Sequence, residues 1–491
     1  MLAPAPILPV DLTRRGVSFD GPEFTALADQ IQGNILKSHG RGHTSHIFFR
    51  FNPGQRDKAK RFIQHFAATE VTSAQRQKQD TAQTKVDHVQ RFVIGLLLSA
   101  SAYNHLGIKP AQTPPDPQFR AGMKASNLAL HDAPVDSWDP GYRDEVHGMI
   151  LVALGEPDRL RLDLKARGIV GALRHDGLAT VLAVEHGDGI KNSDGEDIEH
   201  FGYVDGISQP KFFHEEITGT PVDQWNPLMP LNLVLVPDPG GHHANALGSY
   251  FVFRKLEQNV RGFNQREEAL GRELFGNADN ELAGAMVVGR FENGTPVTLH
   301  AAEAGVPPVN NFNYGQDTAG AKCPFHAHIR KSNPRGEAPG SLDSEKAHMM
   351  ARRGIIYGHR AVHPNEATVA QMPTGGVGLL FMSFQSRLGN QFEFIQKTWV
   401  NNDQFVNAGP PKGPTGKDGV IGQGTFVNHR QKYAKQYNKP ATIVGASSFG
   451  GFVTLKGGEY FFAPSLSFLK QLVLHPNSPA SPFDADPPLT T

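Results

Sequence analysis

Three short stretches of this chain gather side chains that can move a proton, bind a metal or hold an anion. The first, His200-Phe-Gly-Tyr-Val-Asp205-Gly206-Ile207-Ser208-Gln209-Pro210, sets one carboxylate between glycines and before a proline, so the acid sits on a rigid turn. The second, Cys323-Pro-Phe-His326-Ala327-His328-Ile-Arg330-Lys331-Ser-Asn-Pro-Arg335, supplies two imidazoles and three cations. Histidines two apart diverge on a helix and share a face on a strand, so the pair alone is a poor chelate. The third, Arg352-Arg353-Gly-Ile-Ile-Tyr357-Gly358, offers adjacent guanidiniums, of which a strand can turn only one toward a given pocket. Arg353 is then expected in a solvent salt bridge. A proton-cycling acid, a metal-ligating imidazole and a fixed cation together suit redox chemistry at a metal centre.

Elements that could position these groups follow from periodicity. Ile47 to Phe51 alternates as a strand, and Ala59, Phe62, Ile63, Phe66 and Ala67 fall on one helical face. Phe92 to Leu98 and Met149 to Leu154 read as strands, Pro157 to Arg167 as a helix stopped by Gly168, and Leu178 to Val184 as a further strand. The order βαββαβ is that of a ferredoxin-like unit. The second half repeats it less cleanly. Strands are expected over Leu231–Val236, Tyr250–Phe253 and Gly378–Phe384. Helices are expected over Leu256–Leu270 and from Phe392 to about Asn401, the latter with Glu393 and Lys397 paired one turn apart.

The expected fold class is α+β: two ferredoxin-like halves with antiparallel sheets, of the dimeric α+β barrel type. The domains read as an N-terminal arm at 1–25, a first half at 26–215 carrying the Asp205 turn, a second half at 216–475 and a tail at 476–491. The acidic run Asp188–Glu199 reads as a solvated loop. So does Asn407–Gly424: its Gly416-Lys417 pair has Asp418 where a phosphate loop needs Ser or Thr, and Pro410, Pro411 and Pro414 remove backbone donors.

Composition narrows the function. The 491 residues carry 48 basic and 48 acidic side chains, so no global field draws in nucleic acid or an anionic membrane. Cys323 is the single cysteine, which rules out an internal disulfide and a multi-thiolate zinc site. The first ten residues lack a basic start, and no apolar run approaches the roughly 20 residues of a membrane span. A cytoplasmic protein acting on small molecules, without nucleic acid or membrane partners, is expected. The oligomeric state depends on surfaces that the sequence does not display.

The sequence resembles the dye-decolorizing peroxidases, a haem enzyme family. Gly202-Tyr-Val-Asp205-Gly206 resembles the family's GxxDG turn, Ala327-His328-Ile-Arg-Lys-Ser-Asn-Pro-Arg335 its haem-ligand segment, and Arg352-Arg-Gly-Ile-Ile-Tyr-Gly358 its distal-arginine segment. Ile31-Gln-Gly-Asn-Ile-Leu36, Gly378-Leu-Leu-Phe381 and Phe392-Glu-Phe-Ile-Gln396 follow the family's order across residues 30–465.

The resemblance implies one haem b in the C-terminal half, with His328 on the iron and Asp205 and Arg352 beside the open face. It implies that hydrogen peroxide is reduced and bulky donors, anthraquinone-type dyes and phenols, are oxidised through an oxoferryl intermediate. A haem carrier or sensor without peroxide turnover is the alternative. His200 and Arg335 are expected at the propionates, Gly206, Ile207, Ser208 and Gln209 along the macrocycle edge, and Leu379 and Phe381 in the distal pocket. Asp403 is the expected acceptor for the other nitrogen of His328, and Trp399 and Tyr357 are candidate electron relays.

Overall fold

The computed structural model describes residues 10–218, 224–225, 227–276, 280–305, 309–406 and 413–473. The expected tail at 476–491 and part of the expected arm lie outside them. The first half is built on β1 (His43–Phe51), α1 (Arg56–Thr69), β2 (Val93–Leu98), β3 (Gly148–Leu154), α2 (Arg159–Arg174) and β4 (Ala179–Asp188). Its strands lie antiparallel in the order β2-β3-β1-β4. The helical face expected on α1 is the one buried, through Ala59, Phe62, Ile63, Phe66 and Ala67. Strand β1 is buried on both sides: Ile47, Phe49 and Phe51 join the cluster under the helices, and Phe48 joins the other core.

Helix α2 runs past Gly168, where the sequence suggested a stop. Gly168 and Gly171 face open space, while Ile169 and Leu173 are buried. Each mid-helix glycine costs about 1 kcal/mol relative to alanine. Burying each aliphatic side chain returns about 1.5–3 kcal/mol, so packing wins.

The second half repeats the scheme with β5 (Leu247–Gln258), α3 (Val260–Phe275), β6 (Ala351–Arg352), β7 (Ile355–Tyr357), β8 (Gly378–Gln385) and β9 (Val453–Ala463). Between α3 and β6 lies a five-residue helix, α4 (His328–Ser332). Between β8 and β9 lies α5, which starts as Phe392–Phe394 and continues as a π-helix over Ile395–Val400. Strands β6 and β7 both pair with β8, which pairs with β5, which pairs with β9. The expected Glu393–Lys397 pair forms at 2.8 Å.

Two expectations shift. Leu256 belongs to β5, and the helix waits until Val260 because the Asn259 side chain caps it by accepting from the Gly262 N–H at 2.9 Å. The expected strand at Leu231–Val236 is a 3₁₀ turn, Leu231–Leu233, followed by a two-residue strand, Val236–Pro237; prolines at 230 and 237 remove the donors a longer ladder needs.

A single bridge, Phe462 to Leu98, joins β9 to β2 and makes the two halves one ten-stranded antiparallel sheet. Residues 10–25 are not a free arm. Val17 and Phe24 are buried, the Val17 N–H donates to Phe212 O at 2.9 Å, and a helix begins at Pro22. The acidic loop contains a small hairpin, Ile190–Lys191 against Asp197–Ile198. No helix among the described residues is long and apolar enough to cross a membrane.

Arg353 corrects the expectation of a solvent salt bridge. Its guanidinium donates to the backbone carbonyls of Asn34 (2.7 Å) and Ile35 (2.8 Å), and burial lowers its pKa to about 10. It fastens the Ile31–Leu36 segment to the strand that bears Arg352. Arg353→Met leaves those carbonyls without their donor and is expected to cost about 2 kcal/mol, read as a lower urea midpoint with an unchanged m-value.

Candidate active site

A solvent-open cavity of about 280 Å³ lies where the Asp205 turn, α4, β8, α5 and the loop after Asp418 meet. Asp205, Gly206, Ile207, Ser208, His328, Arg335, Arg352, Leu379 and Phe381, all nominated from the sequence, line it. Residues nearly 180 positions apart are thus brought to one space.

Asp205 sits at the open end of a tight turn. Its N–H donates to Asp197 O at 3.0 Å, and its Oδ1 accepts from the Gly206 N–H at 2.6 Å. Gly206 has φ +78° and Gly202 φ +107°, conformations that other residues avoid, so both glycines are needed for the turn's path. Arg352 forms no ion pair with Asp205; its Nη2 donates to Ser208 O at 2.7 Å, and its N–H donates to Gln209 Oε1 at 3.2 Å. These bonds lock the arginine to the loop leaving the Asp205 turn. Gln209 therefore supports Arg352 and is not itself on the cavity wall.

His328 opens α4, and its Nδ1 lies 2.8 Å from Oδ2 of Asp418, whose side chain is fully buried. The other oxygen of Asp418 accepts from the Val420 (2.7 Å) and Ile421 (2.9 Å) N–H groups. Burial works against charge on His328, but the charge and hydrogen bond of Asp418 outweigh it and hold its pKa above the ordinary value. With Nδ1 so committed, Nε2 is the nitrogen left for the cavity. Asp403, expected in this role, does not fill it. Its backbone carbonyl accepts from Thr415 and Gly416, and its carboxylate accepts from the neighbouring Gln404 side chain at 3.1 Å.

The expected loop at 407–424 lies partly outside the described residues, but its remainder carries the acceptor. Nothing periodic marks Asp418. The one signal was an acid amid Gly and Pro, where a turn can present it.

Arg335 is buried, with Nη1 donating to Phe312 O at 2.8 Å and Nη2 to Asn310 Oδ1 at 2.7 Å. Arg290, not singled out from the sequence, also lines the cavity and donates to the same Asn310 Oδ1 at 3.1 Å. His200 is buried away from the wall. Its Nε2 lies 2.8 Å from Tyr357 O, and burial lowers its pKa to about 4, which keeps it neutral and a poor partner for a carboxylate.

Trp399 and Tyr357 also lie off the wall. Trp399 is buried, stacks on Phe405 at 5.3 Å, and meets Phe394 and His348 edge-on at 5.4 and 5.2 Å. Tyr357 is buried under Lys255, whose Nζ is 5.0 Å from its ring centre.

An acidic group flanks the cavity. Glu199 lines it and accepts from the N–H groups of Phe201 (2.9 Å) and Tyr203 (3.2 Å), and burial raises its pKa to about 7. Burial, with Glu281 and Glu199 nearby, raises Glu292 to about 8. Glu267, which accepts from the Tyr203 hydroxyl at 2.7 Å, is pushed well above the carboxylate range by burial.

Residues 30–166 match the model of the DyP dimeric alpha+beta barrel domain, and residues 201–408 match that of the Dyp-type peroxidase C-terminal domain. The chain belongs to the dye-decolorizing peroxidase family, haem-dependent enzymes that use hydrogen peroxide as oxidant. It is similar to the multifunctional dye peroxidase DyP2 of Amycolatopsis sp., 42% identical over 95% of this chain and 100% of that protein. The solved structure of that DyP2 superposes with a TM-score of 0.86 at 40% identity, covering 94% of this chain and 100% of that one. A DyP-type peroxidase from Anabaena sp. gives 0.85 at 39% identity, covering 94% and 98%.

Proposed function

We propose that the cavity holds one haem b per chain, with His328 on its iron, and that the protein uses hydrogen peroxide to oxidise bulky aromatic donors such as anthraquinone-type dyes and phenols. The observation that carries this reading is the His328–Asp418 bond, which commits Nδ1 and leaves Nε2 of the only histidine on the described cavity wall to bind a metal. The donor set fits a haem. Arg290 and Arg335 suit its two carboxylates, Leu256, Leu379, Phe381 and Val453 its flat apolar ring, and Gly206 a close backbone approach.

Bound there, haem supplies the two-electron reduction of peroxide and the one-electron oxidation of donors. Asp205 takes the proton from one peroxide oxygen and returns it to the departing one. Arg352, held by Ser208 O, stabilises the negative charge that builds on that departing oxygen. Donors too large to enter deliver electrons through Trp399, whose ring stack reaches the half-exposed His348. Tyr357, wrapped in the core beneath Lys255, is the weaker candidate for a relay. The carrier alternative leaves Asp205 and Arg352 without a duty.

The reading is tested on purified holoprotein. His328→Ala is expected to lose haem, and Asp205→Asn and Arg352→Leu to lose about 10²–10⁴-fold in turnover of a dye and a phenol. Unchanged axial ligation in the first variant removes His328 from the iron. Parental rates in the other two remove Asp205 and Arg352 from peroxide cleavage.

A further inference from the structure

Lys331 lies on α4 three residues after His328 and is fully buried. Among the described residues it forms no ion pair. Its Nζ donates to Asn402 O at 2.6 Å and to Phe405 O, both in the turn that follows α5. Stripping water from an ammonium costs several kcal/mol, and two carbonyls return only part of that. Burial accordingly lowers its pKa to about 7, against the pull of Asp418 and Asp403.

What the lysine grips explains its place. Phe405 O also accepts from the Thr415 hydroxyl at 2.7 Å. Asp403 O accepts from the Thr415 (2.7 Å) and Gly416 (3.1 Å) N–H groups, and the Asp418 N–H donates to Val400 O at 3.2 Å. The 402–405 turn therefore carries the segment that carries Asp418. The contacts close a ring: His328, α4, Lys331, Phe405, Thr415, Asp418 and back to His328.

The geometry points to Lys331 as the positioning residue that sets the His328–Asp418 hydrogen bond. One five-residue helix thereby bears both the imidazole and the anchor for its carboxylate, so the two move together. The strength of that bond governs how strongly the imidazole donates to a metal. The inference rests on the reading that His328 binds the haem iron.

The test is the iron–histidine stretching frequency of the ferrous holoprotein, measured by resonance Raman spectroscopy for the parent, Asp418→Asn, Lys331→Met and Thr415→Val. Thermal midpoints are taken alongside. Lys331→Met is expected to lower the frequency from the parental value, in the direction of weaker donation, and Thr415→Val to move it the same way by less, while Asp418→Asn lowers it further or loses the band. A parental frequency in Lys331→Met, whatever its midpoint, overturns the inference and leaves the lysine a purely structural role. Should Lys331→Met not retain haem, a parental frequency in Thr415→Val overturns it equally. A parent with no iron–histidine band overturns the ligand assignment beneath it.

Discussion

Asp418→Asn is expected to weaken haem retention and peroxide turnover by about 10–100-fold, the usual cost of losing the partner of a metal-bound histidine. Asparagine matches aspartate in shape, so the loss would be chemical. Asp418 accepts three hydrogen bonds, two from the Val420 and Ile421 N–H groups and one at His328 Nδ1. An amide has one accepting oxygen, and the two backbone donors claim it. Its NH₂ then meets Nδ1, which must become an acceptor and pass its proton to Nε2, the nitrogen proposed above as the iron ligand. Transfer of haem to an apo-globin acceptor, followed spectroscopically, measures the loss. Parental retention and turnover in this variant would show that Asp418 does not set the tautomer.

The stability contributed by Glu199, Glu267 and Glu292 is expected to fall as pH rises from about 5 to 8, because burial holds these carboxyls protonated. The sign follows from linkage. Their folded pKa values lie above the unfolded value near 4.5, at about 7 for Glu199 and about 8 for Glu292, burial being the main cause. The folded state thus binds more protons in that window. Its advantage is complete below the unfolded value and is lost as pH passes through the folded ones. Glu292→Gln removes one such group and is expected to raise stability at pH 8 on the order of 2–4 kcal/mol, with little change at pH 4.5. Denaturant midpoints for both proteins across this range decide it. Parallel pH profiles would mean that Glu292 ionises as freely folded as unfolded.

The sequence displayed those parts of the site that local spacing encodes. The Asp205 turn is written in its glycines, and the buried face of α1 in the spacing of five apolar residues. His328, Arg335 and Arg352 came from motif likeness, and they do line one cavity. Asp418 was hidden because its partner is 90 residues upstream and its surroundings read as a solvent loop. Asp403 is only two residues beyond the helix expected to end near Asn401, and proximity in sequence proved a poor guide to what faces His328. Arg353 misled for a related reason: alternation turned it from the cavity, but nothing local told that the N-terminal segment covers it. His200 sits in the same stretch as Asp205, yet its ring turns into the core toward Tyr357. Each miss concerns a contact between distant segments, which periodicity cannot encode.

The ladder between β9 and β5 bears on how the chain is made. Strand β9, the last of the described strands, lies between β5 and β2 and also supplies Val453 to the cavity wall. Until it emerges from the ribosome, β5 presents an open backbone edge flanked by Phe251 and Phe253, the kind of surface that pairs with other chains, whereas Ile94 and Leu96 of β2 are already bonded to Thr72 and Gln32. A chain that has made β5 but not yet β9 thus carries an adhesive edge, and one strand both seals that edge and completes the cavity wall with Val453.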